Sequence, residues 1–63
     1  MKKLKNKWKP GVLVIESISE DVGIYLGTVQ IQGEWYHEVF LLDIQATFRY
    51  LDHEIDDIWK KIK

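Results

Sequence analysis

Two histidines and ten carboxylates are the side chains of this 63-residue chain with the clearest capacity for chemistry, and their spacing decides which kind. His37 stands in Glu34-Trp35-Tyr36-His37-Glu38, and His53 in Asp52-His53-Glu54-Ile55-Asp56-Asp57. On a helix, His53 and Asp57 would share a face at i,i+4, a spacing that brings two metal ligands together. A structural zinc site takes four ligands and a catalytic one three, so the set is incomplete and no metal is expected. His37 shares a strand face with Trp35, Val39 and Leu41, where a buried imidazole needs a hydrogen-bond partner; it reads as a satisfied core histidine. The carboxylate pairs Glu34/Glu38 and Asp52/Asp56 would need a pocket that perturbs their pKa values before they could act as acid and base. A chain this small hardly encloses one. It has no phosphate-cradling glycine loop, no nucleophile elbow and no cysteine, so neither enzymatic activity nor a cofactor is expected.

The aromatic residues carry more information about binding. Phe40, Phe48 and Trp59 fit the core by periodicity. Trp35 and Tyr36 project to opposite faces just after a turn, and Tyr50 lies off the apolar line of the segment that contains it. Tyrosine and tryptophan combine a large apolar body with a polar tip and are enriched at binding hot spots, which makes Tyr25, Trp35 and Tyr50 the preferred contact residues.

Charge is strongly segregated under a net value of −1. All eight lysines fall within residues 2–9 or 60–63, and all ten acids fall between, with Arg49 as their only basic company. The stretch 10–59 therefore carries −9 and the two ends together +8. An acidic body with exposed aromatics suits a small protein-binding module or inhibitor that docks on a larger, basic partner, and Glu34, Glu38, Asp52, Asp56 and Asp57 are its expected charged contacts. Small phage and plasmid proteins that block host enzymes work in this way, an analogy of size and charge alone. A second reading is a nucleic-acid binder that places Lys2, Lys3, Lys5, Lys7, Lys9, Lys60, Lys61 and Lys63 on phosphates and stacks Trp8 on a base. A third is a structural homo-oligomer that holds a small anionic ligand between subunits.

The elements that would position these residues follow from periodicity and turn chemistry. Residues 1–9 read as a basic, flexible arm in which only Leu4 and Trp8 could dock, ahead of one small α+β domain over residues 10–63. Strands are expected over 12–19, 24–32 and 34–42, joined in an antiparallel meander with a tight turn at Gly33-Glu34. Gly27 marks a bulge or a close approach within the second strand, where Tyr25, Val29 and Ile31 are expected to share one face. From Ile44 onward, behind Asp43 as N-cap, the apolar period becomes helical: Ile44, Phe48, Leu51, Ile55, Ile58 and Ile62 lie within about 40° of one line. Asp56–Lys60 and Asp57–Lys61 would then pair at i,i+4. The expected fold is βββα, a three-stranded antiparallel sheet with one C-terminal amphipathic helix packed on one face.

One helix covers one face of such a sheet, yet both faces carry large apolar groups. The uncovered face predicts self-association, as a homodimer or larger, or a protein partner. The apolar runs at 12–15 and 39–42 are too short to cross a hydrocarbon layer of about 30 Å, so no membrane contact is expected. With no cysteine to argue for an oxidising compartment, the cytoplasm is the default.

Overall fold

The structure, a computed structural model, describes residues 3–62. Its strands are β1 (Leu13–Glu16), β2 (Val22–Ile31), β3 (Glu34–Leu41), β4 (Ala46–Tyr50) and β5 (Trp59–Lys61), with the helix α1 (Asp52–Ile58) between the last two. All five strands form one antiparallel sheet in the order β4-β3-β2-β1-β5. Gln32 and Gly33, at φ 50° and 84°, make the two-residue turn of the β2–β3 hairpin, one position earlier than the turn expected at Gly33-Glu34. β1 stops at Glu16 rather than continuing to 19, because the Glu16 carboxylate accepts the N–H groups of Ile18 and Ser19 and the Ser19 hydroxyl, which turns the chain.

The expected βββα architecture is overturned in its second half. Residues 46–50 pair with β3 instead of opening a helix, and residues 59–61 pair with β1 instead of closing one. The apolar set that fits a helical stripe also fits two short strands: Ala46, Phe48 and Tyr50 alternate with Thr47 and Arg49, and Thr, Phe and Tyr all favour the pleated conformation. A long helix would have left both edges of a three-stranded sheet unpaired; β4 and β5 fill them. Of the predicted stripe only Ile55 is fully buried, while Ile44, Phe48 and Ile62 are 59%, 43% and 36% exposed. Seven residues remain helical. Asp52 and Glu54 suit the positive N-terminal end of α1, and the Glu54 carboxylate reaches back to accept the Leu51 N–H at 2.9 Å. The helix ends at Ile58 and Trp59 is already extended, so the Asp56–Lys60 and Asp57–Lys61 pairs have no helical turn to sit on.

The sheet curls. Tyr50 on β4 and Trp59 on β5 sit at opposite edges, yet their rings meet edge to face with centroids 6.1 Å apart. Val14, Tyr25, Val39, Ile55 and Trp59 fill the concave side beneath α1, fully buried, and each contributes about 1.5–3 kcal/mol by leaving water. Gly23 lies under Trp59, and a Cβ there would come within 2.6 Å of the Val39 side chain.

A bulge at Leu26 breaks the β2–β3 register between Tyr25 and Gly27, whose φ of +118° suits glycine. The extra residue reverses the alternation. Tyr25 and Thr28 face the concave side with Val39 and His37, whereas Val29 and Ile31 face away with Tyr36 and Glu34, so the single face expected for Tyr25, Val29 and Ile31 is corrected.

Candidate functional site

The concave side holds a polar chain across its apolar floor. The Lys7 backbone N–H donates to Tyr25 Oη at 2.9 Å, and Tyr25 Oη lies 2.7 Å from His37 Nδ1. His37 Nε2 lies 2.9 Å from Asp52 Oδ1. With the phenol donating to Nδ1 and Nε2–H donating to the carboxylate, every member is satisfied by a neutral imidazole. His37 has no exposed surface, so both partners matter: a buried polar group without them costs about 1–3 kcal/mol. Burial pushes the Tyr25 phenol above its ordinary pKa; the Lys7 N–H opposes this and the Asp52 charge adds to it. Tyrosine, histidine and aspartate in sequence resemble a nucleophile, its base and an orienting acid, but Tyr25 is fully buried under Lys7 and Trp8 and presents no surface to a substrate. The chain of bonds ties three elements together.

Residues 3–9, expected as a flexible arm, lie against this body. Trp8 stands edge-on to Tyr25 at 5.2 Å, the Leu4 carbonyl accepts the Thr28 hydroxyl at 3.3 Å, and Lys7 Nζ reaches Asp56 at 2.6 Å. Leu4 and Trp8 are half-buried. Between the arm and the sheet runs an open cleft of about 470 Å³ lined by Lys3, Leu4, Lys5, Trp35 and Asp52. Its lysines and its carboxylate oppose one another in charge, so it favours neither a simple anion nor a simple cation.

The convex side is the counterpart, and it is apolar. Ile62, just past β5, forms one row with Leu13, Ile24 and Phe40 on β1, β2 and β3, and Thr47 continues it on β4. Ile15 and Val22 form the next row, with Leu42 bonded to the Val22 carbonyl at its end. Leu13 is 46% exposed, and Ile15, Val22, Ile24 and Phe40 are half-buried. Lys60, beside Ile15, borders this patch on one side, and Glu38, paired with Arg49 at 3.1 Å, borders it on the other.

The residues singled out by sequence are dispersed by the fold. Tyr25 is in the core, and Tyr50 is packed on Trp59. Trp35 is half-buried, with its indole N–H buried and unpartnered. Asp52 serves His37 and Asp56 serves Lys7; Asp57 is exposed on α1, and Glu34 and Glu38 lie on the convex side. The acids therefore form no common face. Lys60 and Lys61 pair with Ile15 and Val14, whereas Leu4, between Lys3 and Lys5, bonds to Thr28; at about 3.3 Å per residue and 4.8 Å per strand that part of the arm stands on the order of 20 Å from β5, with Lys9, bonded to Val12, nearer to it. Lys2 and Lys63 lie outside the described residues. Among the described residues, no three His, Cys, Asp or Glu side chains gather to hold a metal, and no helix is long and apolar enough to cross a membrane.

Comparison with known proteins gave no family model that matches the chain and no curated relative or solved structure similar to it.

Proposed function

We propose that the protein is a small protein-binding module whose contact surface is the convex face of the curled sheet. The observation that supports this reading is the contiguous double row of Leu13, Ile15, Val22, Ile24, Phe40, Leu42 and Ile62 on the side of the sheet opposite the buried core, with Leu13, Leu42 and Ile62 exposed. A patch of this composition gains by leaving water, at about 25 cal/mol per Å². The charges at its border, Lys60 and the Glu38–Arg49 pair, supply orientation. Of the residues expected to make the contact, Tyr25, Trp35, Tyr50 and Asp52 lie on the concave side, Glu34 and Glu38 lie on the convex side, and Asp56 and Asp57 lie on α1.

Capture of partners from nuclease-treated lysate, by the tagged chain and by its Leu13→Glu variant, tests the reading. Leu13 is on the convex side, so the variant should keep the circular dichroism of the parent while losing a stoichiometric protein partner. Equal capture by both proteins would move the contact off this face.

A further inference from the structure

We infer that residues 3–9 are held to the body by an acid-sensitive latch: a proton taken up by His37 displaces the Lys7 N–H from the Tyr25 hydroxyl and loosens the arm. The latch lies on the concave side and is independent of the contact proposed for the convex one.

The conflict follows from counting hydrogens along the polar chain. A neutral imidazole donates from Nε2 to Asp52 and accepts at Nδ1 from the Tyr25 phenol, which in turn accepts the Lys7 N–H. A protonated one donates from both nitrogens. The Asp52 bond survives this change without rearrangement, so the whole adjustment falls on Tyr25 Oη. That oxygen then meets two donors, His37 Nδ1–H and Lys7 N–H, while its own single hydrogen has lost its acceptor. Among the described residues no other acceptor bonds to it, and neither Tyr25 nor His37 has exposed surface through which water could supply one. A buried donor without a partner is costly. The phenol hydrogen therefore turns to the side that Lys7 occupies, and the Lys7 amide gives way.

Proton uptake is favoured by Asp52, whose ionised carboxylate lies 2.9 Å from Nε2. The other titratable and charged groups packed round the imidazole are Tyr25 on β2, Tyr50 opposite it on β4 and, beyond Asp52 on α1, Glu54 engaged with the Leu51 N–H. The arm adds Lys7, with Lys3 and Lys5 lining the cleft beside Asp52. The arm's charged tie, Lys7 Nζ on Asp56, lies at the surface, where an ion pair holds weakly. Without the Lys7 N–H bond, the Trp8 ring and the Leu4 carbonyl are its remaining contacts with β2.

NMR titration of the full chain from about pH 8 to about pH 5, a range in which ordinary carboxylates stay ionised, tests the latch. The His37 ring resonances report the proton; exchange protection of the Lys7 amide and the ring-to-ring NOE between Trp8 and Tyr25 report the arm. In the parent both reports should follow one curve, with Lys7 protection falling about tenfold across it. Asp52→Asn keeps an acceptor for Nε2–H and removes the charge, so both reports should move together to lower pH. Lys7→Ala removes the ammonium but not the N–H and should leave the coupling in place. His37→Asn offers Tyr25 an acceptor that takes up no proton and should hold Lys7 protection constant over the range; if that variant does not fold, Asp52→Asn decides. A parent His37 that stays neutral throughout, or gains its proton while Lys7 stays protected, would overturn the latch. So would reports that separate in Asp52→Asn, a coupling lost in Lys7→Ala, or an arm that loosens in folded His37→Asn as it does in the parent.

Discussion

The two sides of one sheet have been finished in different ways. On the concave side α1, the arm and the curled edges cover the apolar floor, and each polar atom of the Lys7–Tyr25–His37–Asp52 chain has a partner within it. The convex side has apolar rows whose members are half-buried or exposed. The comparison separates two roles that sequence alone merges under hydrophobicity. On the concave side the polar chain through His37 is paired within the fold, though the indole N–H groups of Trp35 and Trp59 are buried without a partner, whereas the outer rows leave charges at their border, where a second surface can meet them.

Substitutions can break this contrast. Ile55→Ala, at the centre of the concave core, should cost about 2–5 kcal/mol in thermal or urea unfolding, while Leu13→Ala should cost under about 1 kcal/mol in dilute solution. Equal costs would mean that the convex rows belong to the core. Gly23→Ala drives a methyl group towards Val39 and the Phe40 carbonyl beneath Trp59 and should cost about 1–3 kcal/mol, measured in the same way.

Tyr25→Phe keeps the ring and removes the hydroxyl, leaving Lys7 N–H without its acceptor and His37 Nδ1 without its donor. A loss of about 1–3 kcal/mol is expected. Because the folded phenol has a raised pKa, the parent has this titration's full stability below about pH 10 and loses it as pH rises through the folded value. Melting curves of Tyr25→Phe should flatten in that window; an unchanged alkaline slope would assign it to another group.

The smallest effect belongs to Glu16. The Ser19 hydroxyl, then the N–H groups of Ile18 and Ser19, hold its carboxyl below the ordinary glutamate value. Its contribution is therefore complete above about pH 4.3 and fades as pH falls through the lowered value. Glu16→Gln should lower the melting temperature slightly at pH 7 and not at all in strong acid; a difference that persists in acid would show that the turn does not depend on this charge.

The legible parts of the fold are those governed by near neighbours in sequence. Alternation and turn chemistry locate β1, β2 and β3, and the face shared by Trp35, His37, Val39 and Leu41 follows from period two. Gly27 advertises an irregularity, but its effect on every later side chain of β2 appears only once the unpaired residue is identified as Leu26. Residues 44–62 mislead for a definite reason: their apolar spacing satisfies helix and strand together, and the choice is made by the free edges of β3, which lies just before them, and of β1, which is distant in sequence. The same holds for the polar chain. That His37 needs a partner can be read from its face; that the partners are Tyr25 and Asp52 depends on the curl and on the position of α1. Composition places Lys7 and Trp8 in a charged arm, and nothing local says that the backbone of one and the ring of the other cover Tyr25.

The pairing of β1 with β5 has a kinetic consequence. Val14 meets Lys61 across almost the whole chain, whereas the β2–β3 hairpin closes over two residues. Loop-closure entropy favours the short contact first, so the β2–β3–β4 hairpins should organise while β1 still waits for its outer neighbour. Trp59 reaches Tyr50 only when that last strand arrives, which makes its fluorescence a clock for the end of folding. A Trp59 signal that rises as early as hairpin formation would contradict this order.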